Sequence, residues 1–401
     1  MSEPRAVPDQ AARDLIRTRL DINLLVEAGA GSGKTACLAQ RMAEGVLEGR
    51  YEVEQMAAVT FTRKAAAELR GRFQLTLESA LASETDAARR QRAQQALRHL
   101  ERLFAGTIHA FCAHLLRERP VEAGVAPGFT ELDEVADFAQ RREAWRDYLD
   151  RQRALGSTVL QELAEAGVKP KDLDDAFAVV CNYAEVEFPT GDAPRPDPTQ
   201  ARETLERFWT ALNALTPNPL DSDTTCKVQK GVRDFRRRFR VVSLDEPRMV
   251  AELIAGWQGA PAIVQKWWAG DNAGGKAAKA KIEALFAEFH RDALPFLDAW
   301  YQYVYRLAVT LLVAARDHAA AARRRAVTLN YGDLLQYAAN LLRDNLEVRE
   351  TLQRKYRALF VDEFQDTDPI QAEVILLLAG APSAERDWTR VPLRPGALFV
   401  V

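Results

Sequence analysis

The chain has 401 residues, 47% hydrophobic and 28% charged, with a formal net charge of −3. That is enough apolar residue for two cores, or for one core with a large insertion. The near-neutral balance excludes a polycation that coats nucleic acid indiscriminately, though not a local basic groove. No apolar run is long enough to span a bilayer, the N-terminus lacks the apolar core of a signal peptide, and the four cysteines (Cys37, Cys112, Cys181, Cys226) show no paired metal spacing. A reducing, cytoplasmic setting is therefore expected, and a membrane partner is not.

Along the chain, residues 24–27 read as a short buried strand running into Ala28-Gly29-Ala30-Gly31-Ser32-Gly33-Lys34-Thr35, with a helix-compatible run over 36–47. A loop of small residues lets backbone N–H groups turn inward and cradle phosphates, and the following helix presents its positive end to them. Gly29, Gly31 and Gly33 permit the close approach, Lys34 would reach the β- and γ-oxygens, and the Thr35 hydroxyl would bind magnesium. Such a turn can also bind nothing, but the strand before it and the helix after it argue against that. Residues 57–60 form a second apolar strand followed by Thr60, Phe61, Thr62 and Lys64. Hydroxyls and a lysine past a strand end can hold phosphates and an aromatic ring can stack on a base, while Thr62 can equally be a helix cap.

From about 118 to 326 the pattern is helical, with runs over 138–155, 201–215 and 276–322 and Pro/Gly loops over 189–198 and 217–223. Trp257, Trp267 and Trp268 in this region read as core residues rather than base-stacking platforms. The basic runs at 233–240 and 323–325 read as solvated helix faces more readily than as DNA contacts. The α/β pattern resumes near Thr328. Residues 359–361 then form an apolar strand that ends in Asp362 and Glu363. One carboxylate at a strand end suffices for magnesium, which retains waters, and Asp362 fits that role. Glu363 is placed to orient or deprotonate an attacking water. Alternating strands and helices imply a parallel sheet with ligands at its carboxyl edge.

The segment Val361-Asp362-Glu363-Phe364-Gln365-Asp366-Thr367 resembles the corresponding helicase motif of the UvrD/Rep group in superfamily one, and six motifs follow that family's order. Asp9-Gln10 is similar to the motif that reads adenine. Residues 60–66 and Gly106-Thr107-Ile108-His109-Ala110-Phe111 are similar to motifs that touch single-stranded DNA, and Asn330-Tyr331-Gly332-Asp333 to the motif before the carboxylate strand. Arg63 stands where asparagine is common. The wording around 109–134 looks most like the RecB/AddA branch, which works at double-strand breaks.

The resemblance implies a P-loop NTPase (RecA-like) α/β fold, with a parallel sheet flanked by helices and interrupted by a large, mostly α-helical insertion. Residues 1–117 would be the first part of the ATP-binding domain, 118–327 the insertion and 328–401 the second part. ATP and Mg would be the cofactors. Gln10 and Gln365 would join the loop residues at the nucleotide, Lys34 and Glu363 would be catalytic, and Thr60, Phe61, Thr62, Lys64, Gly106, Thr107, His109 and Phe111 would contact DNA. Single-stranded DNA or DNA ends, and a nuclease/helicase partner protein, are the implied partners. The chain stops on the apolar run 397–401, where the next helicase motif should follow, so an N-terminal fragment with slow hydrolysis of its own is expected. The alternative is a nucleotide-gated DNA-binding fragment that never hydrolyses ATP. An ATPase of the recombination or SMC-like type without translocation accounts for fewer of the motifs.

Overall fold

A computed structural model describes residues 9–29, 31–183, 186–217, 220, 224–239, 242–268 and 272–401. Ala30 and part of the 217–223 loop lie outside the described residues. Contacts divide the chain into two units, one of Met1–Arg141 with Ala321–Val401 and one of Arg142–Ala320.

The first unit holds β1 (Leu24–Leu25), β2 (Met56–Thr60), β3 (Phe104–Thr107), β4 (Thr130–Glu131), β5 (Thr328–Leu329), β6 (Ala358–Val361) and β7 (Leu398–Val400). Five of these strands form a parallel sheet in the order β1-β7-β6-β2-β3. A shorter parallel pair joins β4 to β5. Strands β2, β6 and β7 are buried along their whole length, as expected of parallel strands covered on both faces. The two-residue pleat sorts their side chains. Ala57, Val59, Leu359, Val361, Leu398 and Val400 enter one core. Met56, Ala58, Ala358, Phe360, Phe399 and Val401 enter the other.

Before β3 come the helices α1 (Gln10–Thr18), α2 (Lys34–Leu47), α3 (Arg63–Ser83) and α4 (Ala87–Arg98). The helix α5 (Ile108–Glu118) follows β3, and α6 (Glu134–Ala154) follows β4. The second unit is helical. It contains α7 (Thr158–Glu165), α8 (Pro170–Asn182), α9 (Thr199–Leu215), α10 (Lys227–Arg238) and α11 (Pro247–Ala255). It also holds most of α12 (Asn272–Arg325), a helix of 54 residues with Pro295 inside it. The chain returns to the first unit at Ala321, within α12, and β5 is followed there by α13 (Tyr331–Asp344), α14 (Leu346–Lys355) and α15 (Pro369–Ala379).

The boundaries between units fall within α6 and α12, not at the expected residues 118 and 327. Pairing of β4 with β5 and a 2.9 Å hydrogen bond from Asn330 Nδ2 to Asp137 Oδ1 hold the segment after α5 on the first unit. β1 also differs from the expected buried strand. It pairs on one side only, so Leu25 is 66% exposed. In the second unit Trp257 and Trp268 are buried, and Trp267 is half-buried with its Nε1 donating to Thr225 Oγ1 at 3.1 Å. Of the basic runs, Arg323 is buried and bonded to Asp333 at 2.6 and 2.9 Å, and Arg236 donates to Asn213 at 2.8 Å. Among the described residues no helix is long and apolar enough to cross a membrane.

Candidate functional site

The glycine-rich loop runs from the end of β1 to Gly33, which caps α2. Gly31 and Gly33 take φ of 77° and 88°, a left-handed backbone that a side chain resists. No side chain caps α2, so the first N–H groups of that helix keep their donors and its positive end stays open. Ala28 and Gly29 are exposed, and Thr35 is half-buried in the first turn. Ser32 Oγ is buried without a hydrogen-bond partner.

The carboxylates of β6 come to the same edge. Lys34 Nζ lies 3.5 Å from Glu363 Oε2, although the two residues are 329 apart in sequence. Gln365 Nε2 also donates to Glu363 Oε2. Glu363 sits at φ 59°, ψ 44°. That backbone costs a residue with a side chain about 1–3 kcal/mol and is characteristic of functional positions. Asp362 is nearly buried, with its Oδ1 unbonded and its backbone N–H donating to Val59 O at 2.9 Å. Burial raises the Asp362 pKa and the Glu363 charge adds to the rise, against the pull of Lys34.

These features fit a magnesium nucleotide. A buried carboxylate oxygen without a donor, next to a second carboxylate, is a place where a cation relieves both desolvation and repulsion. The uncapped helix start offers N–H groups to the phosphates. Gln10 Nε2 donates to Asp14 Oδ1 at 3.1 Å within α1 rather than to a described residue of the loop. Arg13, one turn on, reaches it instead. Its Nη2 donates to Ser32 O at 2.7 Å, its Nη1 lies 3.4 Å from Cys37 Sγ, and Asp9 holds it from behind at 2.9 and 3.0 Å. Sequence reasoning missed Arg13; its spacing of one helical turn from Gln10 was the available signal.

A second feature lies past the end of β2. A cleft of about 250 Å³ is lined by Phe61, Thr62, Arg63, Thr107, His109, Ala110, Glu131 and Tyr331. Thr62 and Thr107 cap α3 and α5 by accepting from Ala65 N and Ala110 N at 3.1 and 3.2 Å. The buried Thr60 donates to Thr62 O at 2.9 Å and tightens the turn. Phe61 is 66% exposed, and the His109 ring lies 4.7 Å from the Tyr331 ring at an interplanar angle of 35°. Burial lowers the His109 pKa, against the pull of Asp368 and Glu131.

Of the residues expected to contact DNA, Thr60, Lys64, Gly106 and Phe111 do not line this cleft. Phe111 is fully buried in the core, with ring centroids 4.8 Å from Phe104 and 5.2 Å from Tyr356; the apolar spacing of Ile108, Phe111, Cys112 and Leu115 turns it inward. Lys64 is exposed on α3 and does not line the cleft. Gly106 pairs with Val59, and a Cβ there would come within 3.0 Å of the Phe104 ring. Tyr331 and Glu131 are cleft residues that sequence reasoning left without a role, although Tyr331 stands inside a recognised motif.

The sheet, the glycine-rich loop and the paired carboxylates define the class: a P-loop NTPase of α/β fold. The family described as the UvrD/REP helicase N-terminal domain matches residues 9–387, and the chain belongs to that family. It is 27% identical to a Desulfitobacterium hafniense protein named as a subunit of an "ATP-dependent helicase/nuclease", over 94% of this chain and 31% of that protein. It is 21% identical to the protein of the same name from Listeria welshimeri, over 90% of this chain and 33% of that one. It is 24% identical to the "Exonuclease/helicase subunit RexA" of Lactococcus lactis subsp. cremoris, over 94% and 35%. The chain thus spans about a third of the length of these curated relatives.

Proposed function

We propose that this chain is the ATP-binding, strand-gripping part of an ATP-dependent DNA helicase or translocase that works in double-strand break repair or recombination, alongside a nuclease/helicase partner protein. The observation that carries the reading is the meeting of two sites at adjacent strand ends. Asp362 follows β6 and is bonded to Val59 of β2, and β2 ends at Thr60 and leads directly into Phe61, Thr62 and Arg63 at the cleft. A displacement of Asp362 or Glu363 is transmitted to the cleft wall across a single strand spacing, about 4.8 Å.

In this reading, Gly29 to Thr35 wrap the phosphates with their backbone N–H groups, and Lys34 leaves Glu363 to meet the β- and γ-oxygens. Thr35 and Asp362 are the residues that would hold magnesium. A magnesium ion held there would supply positive charge against that of the phosphates. Glu363, freed from Lys34, accepts the proton of the attacking water, and Gln365 orients the Glu363 carboxylate. Phe61, His109 and Tyr331 offer ring faces to unstacked bases, while Thr62, Arg63 and Thr107 offer donors to the backbone of a single strand.

The test is Glu363→Gln. In the complete helicase the amide cannot take the proton, so phosphate release should fall by about 10²–10⁴ while Mg-ATP affinity, measured by calorimetry, stays near wild type. Turnover within a few fold of wild type would remove Glu363 from the chemistry.

A further inference from the structure

The cleft past β2 contains a group that a surface meant only for phosphates would exclude. Glu131 lines it together with Phe61, Thr62, Arg63, His109 and Tyr331. The β4–β5 pairing sets Glu131 beside Leu329, two residues before Tyr331, so the acid and the aromatic ring share a wall. Arg117 Nη2 holds Glu131 Oε1 at 2.8 Å, which fixes the direction of the side chain. The Glu131 side chain keeps 28% of its surface exposed and lines the cleft, so it stays accessible from there. A phosphate next to this carboxylate would be repelled. A strand in the cleft must therefore turn base edges toward Glu131 and keep its backbone on the Thr62, Arg63 and Thr107 side. The His109 and Tyr331 rings and the exposed Phe61 provide π-faces for such a base.

We propose that Glu131 reads a base edge, accepting a hydrogen bond from the exocyclic amino group of cytosine, adenine or guanine, so that this chain prefers amino-bearing bases to thymine in single-stranded DNA. The inference rests on the single-strand reading of the cleft and adds a specificity to it. Thymine sets a carbonyl oxygen where cytosine has its amino group, so the same carboxylate attracts one base and repels the other.

The experiment is fluorescence anisotropy with labelled oligo(dC) and oligo(dT) of equal length at one salt concentration. Wild type should bind oligo(dC) about tenfold or more tightly than oligo(dT), the scale of one hydrogen bond to a charged group. Glu131→Gln, whose amide both donates and accepts, should bring the two oligonucleotides within about twofold of each other, and Glu131→Ala should also abolish the preference. The dependence of affinity on salt should not weaken in either variant, because no phosphate contact is lost. Equal binding of the two oligonucleotides by wild type overturns the proposal, and that comparison needs no variant to fold. A Glu131→Ala chain that weakens on both strands by one factor, or whose salt dependence becomes shallower, also overturns it. Failure of wild type to bind either strand overturns the single-strand reading itself.

Discussion

Two kinds of helix start stand at the carboxyl edge of one sheet. The first turn of α2 follows a left-handed glycine and has no side-chain cap, whereas α3 and α5 are capped by Thr62 and Thr107. A cap satisfies donors internally and stabilises the native chain whether or not a ligand is present. An uncapped start leaves that stabilisation to an anion. The difference separates a loop arranged for triphosphate from a cleft whose walls are already set, where rings, hydroxyls and one carboxylate select what lies against them. Asp362 belongs with the uncapped start, since its buried oxygen also lacks a partner in the protein.

Substitutions at four positions sharpen or break this contrast. The largest effect is expected from Lys34→Ala, which removes a charge-assisted contact and should weaken Mg-ATP binding by about 2–3 kcal/mol. Isothermal titration giving equal affinities for mutant and wild type would remove the loop from nucleotide binding. Thr62→Ala should do the opposite. Loss of the cap should cost about 1 kcal/mol of stability in urea denaturation, with Mg-ATP affinity unmoved. A Thr62→Ala chain of full stability would mean that the cap carries no weight.

Arg13→Ala should weaken Mg-ATP about fivefold, the value of one modest hydrogen bond, because Ser32 loses its clamp. Arg13→Lys should not restore it, since one ammonium cannot span Asp9, Ser32 and Cys37 together. Full rescue by lysine would reduce Arg13 to a simple charge.

The smallest effect concerns stability and its pH dependence. The folded-state pKa of Asp362 is raised by burial and by Glu363, so the fold binds its proton more tightly than the unfolded chain does. That contribution to stability is present below the ordinary value of 3.8 and is lost as pH rises through the folded value. Asp362→Asn should therefore raise the melting temperature of the ligand-free chain at neutral pH, and the gain should disappear in acid. Thermal melts across that range decide it; a mutant less stable than wild type at neutral pH contradicts the sign.

The residues of the phosphate loop and of Asp362-Glu363 were legible in the sequence because each group is contiguous, and its chemistry depends on local order along the chain. Phe111 was misplaced because a motif resemblance outweighed the apolar spacing around it, which pointed to the core. Leu25 was misjudged because an apolar residue next to such a loop reads as central, whereas β1 has a neighbour on one side only. Arg13, Glu131 and Tyr331 gain their meaning from distant partners. Arg13 needs Ser32, and Glu131 needs a cleft assembled from the ends of β2, β3, β4 and β5.

By itself the sequence determined the fold class and the ingredients of the nucleotide site, since glycine freedom, strand apolarity and carboxylate position are properties of short segments. Only the tertiary structure decided which ingredients meet. Register between β2 and β6 places Val361 beside Val59 and so brings Asp362 to the strand that feeds the cleft. Packing of α1 beside the loop puts Arg13 in contact with Ser32, while Gln10 bonds to Asp14 within the helix. These are long-range pairings, set by which faces of helices and strands bury together, and no local pattern encodes them.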